Sequence, residues 1–284
     1  DISMDRAYAS ICGVTEVELT TYFKEGIDNI AKSYGIDHDG ASNLLKANFD
    51  GYHFTKGCPD IYNPFSLLNA FKKREIGSYW FQSGTPEFLI RQIQKSGSFL
   101  PEMFNETVEE SVLSDTDIFE TTPYALLYQT GYLTIKGYDK EFGLYTLGFP
   151  NEEVKYGFIN FITPFYTAIT EDKSGFYIGK FVRELRAGDV DAFMNRLKAF
   201  FADFPYELNE KTERHYQVVF YLVFKLMGQF CDVEVRSARG RADAVVKTGD
   251  YIYVFEFKLN GSTTEALKQI DDKGYLIPYT VDGR

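Results

Sequence analysis

Between Asp243 and Lys258 the chain reads DAVVKTGDYIYVFEFK, and no other stretch restricts the fold as much. Val245-Val246 and Tyr251 to Phe257 are rich in β-branched and aromatic residues, the composition of strands, and Lys247-Thr248-Gly249-Asp250 joins them. Side chains alternate along a strand. Tyr251, Tyr253, Phe255 and Phe257 therefore face one way, and Ile252 and Val254 face the other with Glu256 and Lys258. A strand that is apolar on both faces is a strand covered on both faces, with its charged end at the rim of a sheet. A loop of two or four residues puts Asp243 on the face of Glu256 and Lys258. A three-residue loop without a bulge puts it on the opposite one. A solvent-facing hairpin would hold Glu256 and Lys258 as an ion pair worth about 1 kcal/mol or less. The apolar flanks argue against that reading.

Two carboxylates and an ammonium at the rim of a buried hairpin suit phosphodiester hydrolysis. Carboxylates are hard oxygen ligands for Mg²⁺, and a bound metal acidifies water and neutralises charge on a phosphate. An ammonium can orient that water and stabilise developing negative charge. Asp243 followed by Glu256-Phe257-Lys258 resembles the motif of the PD-(D/E)XK nuclease superfamily. Gly240-Arg241 ahead of the acid and Ala266-Leu267-Lys268-Gln269-Ile270 in the next helix extend the likeness. An E-x-K tripeptide alone is common; the linked set is far more specific. The resemblance implies that Asp243 and Glu256 bind Mg²⁺ or Mn²⁺, with the Phe257 backbone carbonyl as a further ligand. It also implies that Lys258 serves water and phosphate and that Gln269 supports the site from the following helix.

The chain has 284 residues, 44% of them hydrophobic, with 26 Phe and 21 Tyr, so it can bury a large core. No apolar run approaches the ~20 residues that span a bilayer, and no membrane association is expected. Cys12, Cys58 and Cys231 are scattered, with no C-x-x-C pair, which points to neither zinc nor a disulfide framework and makes a reducing cytoplasm the expectation. The net charge of −11 runs against an ordinary nucleic-acid binder. The acidity is uneven, however. Residues 201–284 carry 11 Lys+Arg against 13 Asp+Glu, and the first 200 carry 19 against 28. Between Val235 and Ala242 the only charges are Arg236, Arg239 and Arg241, which are candidate phosphate contacts. Weak, salt-sensitive binding of nucleic acid, DNA in preference to RNA, is the expectation.

Earlier in the chain, Thr15 with Glu18 three residues on predicts a capped helix from Thr15 to Ser33. Asn48-Phe49-Asp50-Gly51-Tyr52-His53-Phe54, Tyr62-Asn63-Pro64-Phe65-Ser66 and Tyr79-Trp80-Phe81-Gln82-Ser83-Gly84-Thr85-Pro86 follow. Together with Asp1 to Leu19, these blocks resemble the C-terminal helical part of the AAA-ATPase-like domain that precedes a PD-(D/E)XK module in many bacterial proteins. A P-loop is missing; Gly175 to Phe181 is one residue short and has Phe in place of Ser or Thr. The resemblance thus implies a fragment without the nucleotide half, with no ATPase activity expected. It also implies a superfamily core that continues past Arg284 by another strand and helix.

Short helices are expected over residues 64–76 and 86–95, and an acidic loop with a short helix over 106–117. A helical turn ended by Gly131 and a hairpin around Asp139-Lys140-Glu141 come next. Further helices are expected from Asn151 to Ile169 and, as a pair, between Phe176 and Phe204. A helix over about 212–229 presents Tyr216, Phe220, Val223 and Met227 as a buried stripe, widened by Val219 and Leu226. Glu213 on that helix and Glu234 on the first strand of the last module are further candidate acids. The expected fold is α+β or α/β: a helical part of an ATPase-like domain over 1–100, a helical linking region with a hairpin over 101–200, and a nuclease-like module with a central mixed sheet over 201–284. The competing reading is a catalytically inactive, nuclease-like interaction module attached to a regulatory ATPase.

Overall fold

The computed structural model describes residues 4–83, 87–96, 106–113, 122–167, 171–202, 213–235, 243–258 and 261–284. It is a mixed α+β protein whose contacts divide it into two compact units, Asp1–Phe158 and Ile159–Arg284. No helix among the described residues is long and apolar enough to cross a membrane.

The first unit opens with helices α1 (Glu16–Tyr22), α2 (Lys24–Tyr34) and α3 (His38–Phe49). Thr15 caps α1 in the expected capping box with Glu18. The single helix read from Thr15 to Ser33 is two, because the chain leaves helical geometry at Phe23 (φ −117°, ψ 20°). That break lets Leu19 on one helix and Ile27 and Ile30 on the next converge on Leu45, Phe49, Tyr62 and Leu67 in one core. Helix α4 (Pro64–Lys73) starts with Pro64 in its first turn and Asn63 as its cap. Helix α5 (Glu87–Ser96) follows.

Strand β1 (Thr107–Glu109) and helix α6 (Glu110–Leu113) fall where an acidic loop and short helix were expected. The strand escapes notice because only Val108 of its three residues is buried. Helix α7 (Pro123–Gln129) is followed by Gly131, whose φ of +81° needs no side chain to be accommodated. Strands β2 (Thr134–Asp139) and β3 (Leu144–Gly148) make the expected hairpin, and β1 joins it in the order β1-β3-β2, all antiparallel. Helix α8 (Glu152–Tyr166), capped by Asn151 at the Val154 amide (3.0 Å), carries the chain across the unit boundary.

The second unit contains α9 (Glu171–Arg186), α10 (Val190–Ala202), α11 (Glu213–Met227), β4 (Asp232–Val235), β5 (Ala244–Lys247), β6 (Ile252–Phe255) and α12 (Thr263–Asp272). The three strands pair sequentially and antiparallel. A mixed sheet would need a parallel strand, and none is among the described residues.

One face of this sheet is aromatic. Phe255 packs on Phe193 of α10 and Phe224 of α11, and Phe257 stacks on Phe220 of α11 at 3.8 Å between ring centroids. The Tyr253 hydroxyl donates to the Leu185 carbonyl of α9 (2.6 Å). The other face carries Val245, Ile252 and Val254 against Ile270, Tyr275 and Tyr279. Helix α11 is buried more widely than the expected stripe. Val218, Tyr221, Leu222 and Phe224 are buried as well, whereas Tyr216 and Phe220 are only half-buried. It lies between the sheet and α9, so both of its sides must be apolar. The packing unit around the sheet therefore includes α9 and α10 ahead of residue 201.

Candidate functional site

The β5–β6 hairpin decides which side chains meet. Lys247 pairs with Ile252, so the loop has four residues, Thr248 to Tyr251. The Thr248 amide donates to the Tyr251 carbonyl (2.8 Å), and the Thr248 hydroxyl accepts the Tyr251 amide (3.1 Å). An even loop keeps Asp243, Val245 and Lys247 on the face of Ile252, Val254 and Glu256. This is the α12 face. Phe255 and Phe257, held by α11, leave Glu256 and Lys258 no other side.

Asp243 stands just beyond the last ladder pair, Ala244 with Phe255. Its amide donates to the Phe255 carbonyl (3.0 Å), and its Oδ2 accepts the Phe257 amide (2.8 Å). Asp243 thus bonds to the residues on both sides of Glu256. Burial pushes the Asp243 carboxyl above the usual carboxylate range. The Phe257 amide pulls it back, Glu256 raises it further, and Lys258 lowers it.

The Glu256 side chain is only 4% exposed. Its Oε1 accepts from Lys258 Nζ (3.0 Å) and from Gln269 Nε2, and Gln269 Oε1 accepts from Lys258. Glu256, Lys258 and Gln269 therefore close a three-membered ring of hydrogen bonds. Gln269 reaches it from α12, whose start is set by a capping box between Ser262 and Glu265.

One participant escapes sequence reasoning. The Tyr275 hydroxyl lies 3.4 Å from Gln269 Nε2, and the residue is buried under the sheet beside Ile270. Tyr275 follows the end of α12, where no periodicity points inward. Its only local signal is Gly274 (φ +62°), which turns the chain back.

The remaining candidates are dispersed. Glu234 is on the same face of the sheet, and its carboxylate lies 3.5 Å from Lys247, which also pairs with Asp232 at 3.4 Å. Glu213 is the first residue of α11. Arg236, Arg239 and Arg241 lie outside the described residues. Among the described residues no group of three or more His, Cys, Asp or Glu side chains converges as a metal site. Two carboxylates do meet the needs of a hard divalent cation that keeps several waters. Glu256 Oε2 is buried and has no hydrogen-bond partner among the described residues, which is costly unless something cationic or a donor meets it. The all-oxygen donor set of Asp243 and Glu256 is of the chemical kind that a hard divalent cation takes.

Residues 211–284, which contain this cluster, match the family described as the PD-(D/E)XK nuclease superfamily. Over its whole length the chain is similar to a protein of Azotobacter chroococcum mcd 1 described as an uncharacterized protein in the vnfD 5' region. The identity is 32% over 294 residues, covering 100% of this chain and 54% of that protein. The chain thus spans about half the length of that relative. No solved structure matches this chain.

Proposed function

We propose that the second unit is a divalent-metal-dependent nuclease module that cuts phosphodiester bonds, in DNA in preference to RNA. The observation that carries this reading is the gathering of Asp243, Glu256, Lys258 and Gln269 on one face at the end of the β5–β6 hairpin. Asp243, Glu256 and the Phe257 carbonyl would hold Mg²⁺ or Mn²⁺. Such an ion, when bound, acidifies water and neutralises charge on the scissile phosphate.

The chain's own residues have separate tasks. Lys258, fixed by Glu256 and Gln269, keeps an ammonium where a phosphate oxygen or attacking water would sit, and stabilises the charge that develops there. Gln269 holds Glu256 and Lys258 in register, and Tyr275 steadies Gln269. Burial raises the Asp243 carboxyl, and a bound cation would favour its anionic form and offset that rise. Arg236, Arg239 and Arg241 would contact the nucleic-acid backbone, and Glu213 and Glu234 are reserve acids. The resemblance of the first 95 or so residues to an ATPase-like helical part supports a pairing with a nucleotide-binding half in a cytoplasmic protein.

The test is nicking of supercoiled plasmid and cleavage of a structured RNA, in Mg²⁺ at low salt. Lys258→Ala should lose cleavage by roughly 10²–10³-fold with metal binding intact, and Asp243→Ala should lose both. Equal activity of wild type and Lys258→Ala would rule out this site. A folded, metal-free and inactive wild type would favour the non-catalytic interaction module.

A further inference from the structure

The first unit has a pocket that the nuclease reading does not use. About 580 Å³ in volume, it is lined by Arg6, His53, Lys56, Gly57, Asp60, Ile135, Lys136, Gly137, Tyr138 and Lys140. Such a volume falls in the range of small-molecule sites. Its lining has one arginine, three lysines and one carboxylate, in a chain whose net charge is −11.

Backbone carbonyls and an aromatic ring hold three of these cations, with Asp50 and Asp60 acting on Lys136 and Glu110 on Lys56 from beyond ion-pair distance. Ile135 pairs with Leu147 and Gly137 with Thr146, so Lys136 is an extra, bulged residue in β2. Its ammonium donates to the carbonyls of Gly51 (3.0 Å) and Pro150 (2.9 Å), which fixes a positive charge on the pocket wall. Arg6 Nε donates to the Lys56 carbonyl (3.1 Å), orienting the guanidinium beside Gly57. A Cβ at Gly57, which has φ +75°, would meet Arg6 Nη2 at 3.0 Å. The Lys56 ammonium sits 4.5 Å from the centre of the Tyr138 ring. Lys140 stands on the β2–β3 loop. Among the described residues none of these four cations has a carboxylate within ion-pair distance, and the pocket's one acid, Asp60, is held by His53 Nδ1 (2.8 Å).

Four basic side chains around a concavity, with no ion pair among the described residues, repel one another, an arrangement that an anion relieves. We propose that this pocket binds the phosphate group of a small phosphate-bearing molecule. Arg6 presents a planar fork suited to phosphate oxygens, Lys56 and Lys140 supply point charges, and Lys136 contributes field rather than contact. A nucleic-acid backbone would call for an extended stripe of cations; here they surround one cavity.

The experiment is calorimetric and thermal-shift titration of the chain with inorganic phosphate and pyrophosphate. Pyrophosphate should bind saturably, more tightly than phosphate, and raise the melting temperature. Arg6→Gln and Lys140→Gln should each weaken it by about tenfold, the scale of one charge-assisted contact. Asp60→Asn should tighten it by roughly three- to tenfold by removing the opposing charge. That gain cannot arise from misfolding. No saturable binding at millimolar pyrophosphate by folded protein would overturn the proposal, as would binding indifferent to all three substitutions. So would a short duplex oligonucleotide that binds through Arg6 and Lys140 while pyrophosphate fails to displace it.

Discussion

The β2–β3 hairpin of the first unit and the β5–β6 hairpin of the second each close with a four-residue loop, yet they display opposite charge by opposite means. In β5–β6 the register runs unbroken from Lys247 with Ile252 to Ala244 with Phe255. Strict alternation then delivers Asp243 and Glu256 to one face. In β2–β3 the register slips between Ile135 and Gly137, and the displaced residue is Lys136. An intact ladder concentrates carboxylates at the rim of its sheet, whereas a bulge lifts a cation out of alternation and docks it on two carbonyls. A bulge is a local event, but an intact ladder transmits parity along its length. The acidic cluster is therefore sensitive to whatever holds the sheet, and the basic pocket to what holds one lysine.

The harshest way to break this contrast is to remove the footing of the second hairpin. Phe224 is fully buried and packs on both Phe255 and Phe257. Phe224→Ala should cost about 3–5 kcal/mol in urea denaturation. A loss under 1 kcal/mol would mean that α11 does not anchor β6.

Gln269→Ala tests the neighbourhood of the carboxylates without touching the sheet. It should lower cleavage by roughly 10–100-fold, as loss of a supporting hydrogen bond does. Stability in urea should change little, since the residue is near the surface. An unchanged rate would show that the ring around Lys258 is packing without consequence.

Lys136→Met addresses the other hairpin. It leaves the Gly51 and Pro150 carbonyls without their donor and should destabilise the protein by about 1–3 kcal/mol, with cleavage per folded molecule unchanged. Coupled loss of cleavage would contradict the separation of the two hairpins.

The smallest effect is a difference in pH dependence. The Asp243 carboxyl is raised in the folded protein, chiefly by burial. The folded state then binds this proton more tightly than the unfolded one, so the contribution of Asp243 to stability falls as pH rises. The fall begins near the unfolded value of about 4 and is complete above the raised folded value. Asp243→Asn lacks this fall. In chelator-containing buffer the variant should match wild type below about pH 4 and gain on it toward neutral pH. A constant difference across the series would show that the carboxyl is not desolvated.

Much of the fold near the hairpin was legible in residues alone. Alternating aromatics from Tyr251 to Phe257 mark a strand covered on both faces, because only such a strand can shield Tyr253, Phe255, Ile252 and Val254 all at least in part from water. Thr15 with Glu18 marks a helix start, and so does Pro64 in a first turn, because such signals are made by residues adjacent in sequence. The break at Phe23, the strand at Thr107–Glu109 and the burial of α11 on both sides were not legible. Each depends on partners far along the chain.

The same division holds at the site. Chemistry and spacing in the sequence singled out Asp243, Glu256 and Lys258, since alternation is a local rule, and the resemblance to the PD-(D/E)XK superfamily added Gln269. Whether Asp243 shared their face depended on the parity of the loop, and two or four residues read equally well against three. Tertiary structure decided it, when Thr248 and Tyr251 closed a four-residue turn. It also decided that Tyr275 reaches Gln269, and that Arg6, Lys56, Lys136 and Lys140 surround one cavity. Those residues are separated by up to 134 positions, from Arg6 to Lys140. Only a bulge in β2 and folding of the chain back on itself bring them together, and neither has a signature in local sequence.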